Sequence, residues 1–514
     1  MVGRAPALLV CAPLIGALLA CGPQAPGSDD DSSESSSSEA TASTVASTTL
    51  ASTTVASSET AGELTTGATT SAGATEEATG ETSDSGAPPW PGLPEPCALA
   101  PSAILDTPLN TDSVLGTRLY TLDPGGPGAP ARVMTVQRET VGDGHGNYKA
   151  RAFELAATWE PGAVVSVAPV LPLTHSGHYI SRLAPRLDDP ARLAYVWTGD
   201  PDGTNDYDTF VTFLDLDAWA IDGELELVPS SNPSFVDILR TPAHPRFVTA
   251  YTTDSYGATP VDRASGFSLG VLDGDGAPLV EPAVLTEQTA APGSGVRLLW
   301  SGDRIAAAIG HNACDAGPLC APHSVVVARP SAPDETGAAA DGFESAHVFA
   351  GLEGSGHVSR PAAFAEFGLT WLAWYESDDH VASDEHRTMR AVVLDDDGAP
   401  LPWPPGADAA APVDFVVDVA MSSWPTMLVS ELGITVVYRV VEGDGDRAQR
   451  TFVVRHHDFT MQPLGEPIIL ELKPESASYP GLAALAEPRA LLLAWDGVSD
   501  TDDIVLRMAR LECA

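Results

Sequence analysis

Short apolar runs, each ending in a bulky or aromatic residue, recur along the chain. The clear copies end at Trp197, Tyr251, Trp374, Tyr438 and Trp495, and weaker copies end near residues 137 and 309. The spacings along these seven positions are 60, 54, 58, 65, 64 and 57 residues. Each run has the length of a β-strand, and a polar loop and a second apolar run follow it. Since no long stretch has a helical period, the pattern predicts a repeating all-β structure.

The repeat length narrows the architecture. A period near 60 residues with strand-sized runs favours the blades of a β-propeller. Asp-Gly turns at 273–276 and 395–398 fit the hairpins between blade strands. The seventh unit ends after its third strand, so the segment from Cys97 to about Leu109 is predicted to supply its outermost strand. The sequence thus predicts a seven-bladed propeller over residues 97–514, with six blades or a tandem β-sandwich as alternatives.

The N-terminus has the pattern of an export signal. Arg4 precedes an apolar run over residues 5–20, and Cys21 follows. The run is shorter than the roughly 20 residues that a membrane-spanning helix needs. Residues 18–21, Leu-Leu-Ala-Cys, resemble the lipobox of bacterial lipoproteins, whose cysteine is acylated after cleavage. The resemblance implies a signal peptide at 1–20, a lipid anchor at Cys21 and attachment to the cell envelope, at the outer membrane; an ordinary cleaved signal is the alternative.

Residues 21–96 differ in composition from the rest of the chain. They are dominated by Ser, Thr, Ala, Gly and acidic residues, and residues 28–86 contain no aromatic residue, cysteine, lysine or arginine. Such a segment has too little apolar surface to offset its ordering entropy. It is predicted to be a disordered stalk.

The remaining cysteines suggest how the domain closes. Beyond Cys21 and one cysteine in the signal, four are left in the predicted domain: Cys97, Cys314, Cys320 and Cys513. In an exported domain an even number predicts disulfides. Cys314 and Cys320 are near enough in sequence to close a small loop, which pairs Cys97 with Cys513. That second bridge would join the two ends of the domain, as a closed ring allows.

The charge of the chain restricts the kinds of molecule that it can bind. The net charge of −44 disfavours nucleic acid. Acidic residues concentrate in the loops between the second and third strands of each unit, which share one face in a propeller. We interpret four of them as part of a binding face for a cation or a cationic partner: Asp378, Asp379, Asp444 and Asp446. The alternative is that acidic loops only keep the protein soluble.

A second motif falls near the same face. Ser-Gly-His-Tyr-Ile-Ser-Arg at 176–182 recurs as Ser-Gly-His-Val-Ser-Arg at 355–360, each time just before an innermost strand. These residues could project into the mouth of the central channel and orient a small ligand. The candidates are His178, Ser181, Arg182, His357, Ser359 and Arg360. In the alternative, each arginine pairs with a carboxylate and each histidine caps a turn.

Catalytic and metal motifs are weak. Gly-Phe-Ser-Leu-Gly at 266–270 lies in a predicted strand, without the helix that a nucleophile elbow needs. His456 and His457 are neighbours on one strand and point to opposite faces, so we expect a surface pair and no metal site. The Asp-Gly turns lack the spacing of an EF-hand. The sequence predicts no cofactor, with Ca²⁺ as the alternative.

Two functions are compatible with these patterns. The first is a non-enzymatic binding or scaffold module that contacts the membrane through acylated Cys21 and grips an extracellular protein, glycan or cation. The second is an extracellular propeller hydrolase acting on glycans, with carboxylates from different blades as acid and base. Because no catalytic motif is complete, we favour the binding module.

Overall fold

The structure is a computed structural model that describes most of residues 93–514. The exceptions within that range are residues 110–114, 124, 126–128, 141–145, 176, 201–206, 229–232, 242–243, 254–264, 289–294, 302–303, 312–322, 331–342, 353–356, 360, 378–385, 397, 421–424, 443–448, 473–478, 487–488, 500 and 502. The predicted signal peptide, the predicted lipidation site Cys21 and nearly all of the predicted stalk lie outside the described residues. No helix in the described part of the chain is long and apolar enough to cross a membrane.

The described strands form seven antiparallel blades. The first two strands belong to the last blade: β1 (Leu99–Pro101) and β2 (Leu105–Pro108). Blade 1 contains β3 (Leu115–Asp123), β4 (Ala131–Thr140), β5 (Gly146–Leu155), β6 (Val164–Ser166) and β7 (Leu171–Pro172). Blade 2 contains β8 (Gly177–Ile180), β9 (Ala184–Pro185), β10 (Arg192–Gly199), β11 (Asp208–Asp215) and β12 (Ala220–Val228). Blade 3 contains β13 (Pro233–Arg240), β14 (Phe247–Thr253), β15 (Ser265–Leu272) and β16 (Pro278–Gln288).

The other four blades continue the order from the innermost strand outward. Blade 4 contains β17 (Val296–Ser301), β18 (Arg304–His311), β19 (Ser324–Pro330) and β20 (Phe343–Ala350). Blade 5 contains β21 (His357–Val358), β22 (Ala362–Glu366), β23 (Leu369–Ser377), β24 (His386–Leu394) and β25 (Val413–Ala420). Blade 6 contains β26 (Thr426–Ser430), β27 (Gly433–Glu442), β28 (Gln449–His457) and β29 (Ile468–Leu472). Blade 7 contains β30 (Gly481–Leu485), β31 (Ala490–Val498) and β32 (Ile504–Cys513), to which β1 and β2 add.

The seven repeat positions all fall on second strands. Innermost strands of neighbouring blades contact each other around the ring, and β3 of blade 1 meets β30 of blade 7. The prediction of a seven-bladed propeller is confirmed, and the six-bladed and sandwich alternatives are excluded. The repeat positions and their strands are Gln137 on β4, Trp197 on β10, Tyr251 on β14, Ile309 on β18, Trp374 on β23, Tyr438 on β27 and Trp495 on β31.

The blade interfaces form the hydrophobic core. Seven clusters of buried apolar side chains are present among the described residues, and each joins two neighbouring blades. A second strand is therefore covered on both faces; every residue of β23 is buried, for example. Strands covered on both faces are apolar throughout instead of alternating. This explains why second strands give the strongest repeat in the sequence.

The ring closes as the sequence predicts. In β1, Leu99 pairs with Cys513, and in β2, Leu105 pairs with Met508. The chain's first described strands are therefore the outermost strands of the last blade. A disulfide joins Cys97 to Cys513 across 416 residues, which confirms that pairing. The predicted Cys314–Cys320 bridge lies outside the described residues.

Candidate functional site

The strand order gives each blade two ends. We call upper face the end where the second strand finishes and the third begins, as at Val498 and Ile504 in blade 7. The lower face is the end with the turn from first to second strand, as between Leu485 and Ala490. The predicted acidic residues belong to upper-face connections in the sequence but lie outside the described residues: Asp378, Asp379, Asp444 and Asp446. Their part in a binding face stays a prediction.

The two serines of the repeated motif have identical backbone partners. Ser181 donates its amide to the Val196 carbonyl (2.8 Å), and its hydroxyl accepts the Val196 amide (2.9 Å). Ser359 does the same with Tyr375, at 2.9 Å for both bonds. Both serines are buried at a break in the innermost strand, between β8 and β9 and between β21 and β22. The two serines therefore continue the hydrogen-bond ladder between the innermost and the second strand where the innermost strand is interrupted.

The other motif residues are only partly described. The side chains of His178 and His357, and all of Arg360, lie outside the described residues. Arg182 donates to Asp237 Oδ2 (3.0 Å), to the Ile238 carbonyl (2.8 Å) and to the Leu298 carbonyl. Arg182 therefore links blade 2 to blades 3 and 4.

Asp237 is the centre of this inter-blade cluster. Its side chain is fully buried, and it also accepts from Arg297 Nη1 (3.2 Å) and from the Leu298 amide (2.7 Å). Burial lowers the pKa of Arg182 to about 10, although the charge of Asp237 acts against this. Arg182 pairs with a carboxylate, as the alternative interpretation proposed, but the carboxylate is on a strand rather than in a loop.

Further side-chain bonds connect neighbouring blades. Thr370 donates to the Trp300 carbonyl (2.8 Å), Thr426 to the Pro480 carbonyl (2.8 Å) and Thr121 to the Ala484 carbonyl (3.0 Å). A backbone carbonyl that has no strand partner across a blade interface needs such a donor. These bonds stabilise the ring.

Among the described residues, four buried carboxyl groups lie at or near the upper ends of second strands: Glu139, Asp200, Glu376 and Asp496. Arg151 donates to Glu139 at 2.5 Å, and Lys149 also binds this carboxylate. Glu376 accepts from Arg390 Nη1 at 2.9 Å. The Trp374 indole (2.8 Å) and the Leu352 amide (2.5 Å) also donate to Glu376. Both glutamates are thus paired with a cation.

The carboxyl group of Asp496 has fewer compensating contacts than those of Glu139 and Glu376. It is 6% exposed, and its Oδ1 has no hydrogen-bond partner among the described residues. Burial raises the pKa of Asp496 to about 7, while hydrogen bonding from Gly116 and Thr117 and the charge of Arg439 act in the opposite direction. A carboxyl group with such a pKa can accept or donate a proton near neutral pH.

A chain of buried polar side chains in blade 1 leads to Asp496. Arg151 donates to the Gln137 side-chain oxygen (2.9 Å), and Gln137 donates to the Thr117 hydroxyl (3.3 Å). Because the Thr117 oxygen accepts from Gln137, its hydrogen is available to the carboxyl of Asp496. Asp496 is therefore positioned by blade 1 at the seam between blades 7 and 1.

The adjacent histidines occupy opposite sides of β28. His456 contacts the Thr435 hydroxyl (2.7 Å) and the Leu432 carbonyl (2.8 Å), whereas His457 packs edge-on against Phe415 (5.3 Å between ring centres). The expectation of a surface pair is wrong, because both side chains are buried between blades. Burial lowers the pKa of both histidines, to about 4 for His457. No group of three His, Cys, Asp or Glu residues in the described ranges could hold a metal ion.

Sequence reasoning missed the buried strand carboxylates. Asp237 interrupts an apolar run, and a single charge inside such a run is the signal that could have found it; Glu376 stands at the end of an apolar run, directly before polar residues. Asp496 directly follows Trp495 and stands just before the acidic residues of the next loop, so the sequence does not separate it from them. Its hydrogen-bond partners Gly116 and Thr117 belong to blade 1, about 380 residues away in the chain.

Comparisons with known proteins bear on the fold alone. No family model and no curated protein matches this chain. Kuenenia stuttgartiensis hydrazine synthase is similar in structure with a TM-score of 0.41 and 9% identity, covering 77% of this chain and 97% of that chain. The GH93 α-L-arabinofuranosidase of Fusarium graminearum has a TM-score of 0.38 and 9% identity, and the match covers 80% of this chain and 98% of that chain. The parainfluenza virus 5 hemagglutinin-neuraminidase ectodomain has a TM-score of 0.39 and 8% identity, and the match covers 81% of this chain and 87% of that chain.

At such low identities and TM-scores these similarities carry no information about chemistry. The class of the protein follows from its own strand order and closure. The described domain is a seven-bladed β-propeller with a two-strand N-terminal contribution to its last blade.

Proposed function

We propose that the chain is an exported lipoprotein, anchored through Cys21 to the bacterial envelope, whose propeller is a binding module with an acidic upper face. The observation that carries this proposal is the position of residues 93–98. The Cys97 amide donates to the Leu432 carbonyl (3.4 Å), and Arg489 donates to the Glu95 carbonyl (3.4 Å). Leu432 and Arg489 both belong to lower-face turns. The first described residues of the chain therefore lie at the lower face, opposite the second-to-third-strand connections.

The upper face suits a cationic partner. Its second-to-third-strand connections carry acidic residues in most blades, in a chain of net charge −44. Clustered charge of one sign attracts partners of the opposite sign and accelerates their association. We infer that a basic segment of an extracellular protein is the partner class that this face fits best.

The experiment compares two charge-neutralised variants of the full lipidated chain in detergent micelles, with immobilised oligolysine peptide as the probe. The upper-face variant replaces Asp378, Asp379, Asp444 and Asp446 by Asn. The matched control replaces four exposed lower-face acids by their amides: Asp189, Asp217, Asp408 and Glu466. We expect at least a fivefold loss of retention in the first variant only.

Two outcomes would contradict the proposal. Equal retention of both variants would remove the upper face as the binding surface. Palmitate labelling of cells should be lost in Cys21→Ala, and labelling that persists would remove the anchor.

Hydrolysis of extracellular glycans is the second candidate, and the state of Asp496 is the observation that favours it. A carboxyl group with a raised pKa suits a general acid. The reaction also needs a second carboxylate at about 5 to 10 Å from the first. Analysis of the products in the saccharide experiment described below separates hydrolysis from binding.

A further inference from the structure

The unpaired oxygen of Asp496 needs an explanation that its two counterparts do not. Glu139 and Glu376 occupy similar buried positions, and each is bound by at least one cation. Asp496 Oδ1 is buried without a partner among the described residues. Native proteins leave few such atoms, and an unfilled ligand position is one of the common causes.

An aromatic ring lies beside the same seam. Tyr479 precedes β30, and its side chain is 44% exposed. A Cβ atom on Gly116 would lie 3.0 Å from Tyr479 Cδ2, so the ring packs directly on the backbone of residue 116. The Thr117 amide donates to the Tyr479 carbonyl (2.9 Å), which fixes this contact. The ring and the Asp496 carboxyl are therefore both neighbours of residues 116 and 117.

Gly116 is required for this arrangement on two grounds. Its φ of +73° is a conformation that favours glycine. Any side chain at this position would also displace the Tyr479 ring. The backbone of blade 1 is thus shaped to receive a ring from blade 7.

Arg439 supplies the third chemical group. It lies on β27 of blade 6, and its charge interacts with both Tyr479 and Asp496. Burial lowers the pKa of Arg439, and Arg450 adds to this. An aromatic face, a carboxyl group and the Thr117 hydroxyl thus lie together at the seam between blades 7 and 1, and the charge of Arg439 acts on the first two.

This set of groups selects a ligand class. The exposed ring offers an apolar face, while the carboxyl and guanidinium groups accept and donate hydrogen bonds. A free cation is disfavoured because Arg439 is close to the carboxyl group. A polyanion is disfavoured because the domain as a whole is strongly acidic. A neutral ring that carries several hydroxyl groups can pack on the aromatic ring and donate a hydroxyl hydrogen to the carboxyl group.

We propose that the upper-face seam formed by Thr117, Tyr479 and Asp496 binds a neutral saccharide, with a ligand hydroxyl bonded to Asp496 Oδ1 and the sugar ring packed on Tyr479. This site is independent of the cationic partner proposed for the acidic loops. Loss of one activity therefore leaves the other intact, and the two proposals can fail separately.

The test uses the full lipidated chain in detergent micelles and an array of neutral and acidic saccharides. We expect neutral saccharides to be retained, and we then measure the affinity of the best one by the change in tryptophan fluorescence, since Trp495 adjoins the site. Asp496→Ala and Tyr479→Ala should each weaken binding at least tenfold. Asp503→Asn is the matched control, because Asp503 is an exposed acid of the same blade, and it should bind like the wild type.

Each outcome decides the proposal. Because Tyr479 is exposed, its replacement leaves the fold intact even if Asp496→Ala unfolds. Retention of no neutral saccharide by the wild type, or unchanged binding by folded Tyr479→Ala, would overturn the site. Recovery of a shortened saccharide from the wild type but not from Asp496→Asn would support the site and assign hydrolysis to it.

Discussion

Buried ionisable side chains in this propeller differ in how their charge is balanced. Asp237 is fully buried but lies between Arg182 and Arg297, and Glu376 is paired with Arg390. Removing one partner of such a pair would leave a buried charge uncompensated. Asp496 has no comparable partner, so its burial raises its pKa instead. The buried carboxyl groups of Asp237 and Glu376 therefore stabilise the ring, whereas that of Asp496 is the one that we propose for ligand binding.

The raised pKa of Asp496 predicts a pH-dependent stability. Its pKa is about 7 in the folded state against an ordinary value of 3.8, so the folded state binds the proton more tightly than the unfolded state. The contribution of the neutral carboxyl is fully present below about pH 4 and is lost as the pH rises through 7, by about 4 kcal/mol in all. Asp496→Asn does not titrate. The free energy of unfolding of this variant relative to the wild type should thus rise by about that amount between pH 4 and pH 8 in urea denaturation. Parallel pH profiles would contradict this.

Broken strands are repaired by serines at three places in the ring. Ser181 and Ser359 do this in innermost strands, and Ser102 does it between β1 and β2, where its amide donates to the Arg510 carbonyl (2.8 Å) and its hydroxyl accepts the Arg510 amide (2.9 Å). In each case one residue of the neighbouring strand keeps both of its backbone hydrogen bonds. A break lets a strand bend without leaving buried polar groups unpaired.

Replacing these serines tests their structural role. In Ser181→Ala or Ser359→Ala the amide of Val196 or Tyr375 loses its partner in a buried position. An unpaired buried donor costs about 1 to 3 kcal/mol of unfolding free energy. Ser166→Ala is the control, since Ser166 is exposed and its hydroxyl only contacts the Ala168 carbonyl (3.3 Å). We expect it to change stability by less than about 0.5 kcal/mol in urea denaturation. If Ser181→Ala and Ser359→Ala both lowered the free energy of unfolding as little as the control does, the structural role of these serines would be refuted.

The serines also show where sequence-based prediction reaches its limit. Second strands could be predicted because two blades cover them, so they are continuous apolar runs. The recurrence of Ser181 and Ser359 was visible too, but a serine that completes a ladder and one that faces a ligand look alike in sequence. The seam around Asp496 was out of reach for a different reason. It joins residue 117 to residues 439, 479 and 496, and only closure of the ring brings them together.

Closure of the ring is the property of the whole molecule that most depends on distant contacts. The outermost strand of blade 7 comes from the start of the domain, so the first and last parts of the chain are held by β1, β2 and one disulfide. Propellers avoid exposed strand edges inside the ring but need such a joint to remain closed. The joint lies at the lower face, where the Cys97 amide donates to the Leu432 carbonyl in a turn of blade 6 (3.4 Å) and Arg489 in a turn of blade 7 donates to the Glu95 carbonyl (3.4 Å).

The disulfide should therefore contribute more to stability than any short-range bridge. On the chain-entropy model a loop of 416 residues gains up to about 6 kcal/mol from the Cys97–Cys513 bond. The same model gives about 2 kcal/mol for the predicted bridge between Cys314 and Cys320, which would close a loop of only a few residues. We expect Cys97→Ser/Cys513→Ser to lower the free energy of unfolding in urea by clearly more than Cys314→Ser/Cys320→Ser does. Equal losses in the two double variants would show that native contacts of β1 and β2, and not the covalent bond, keep the ring closed.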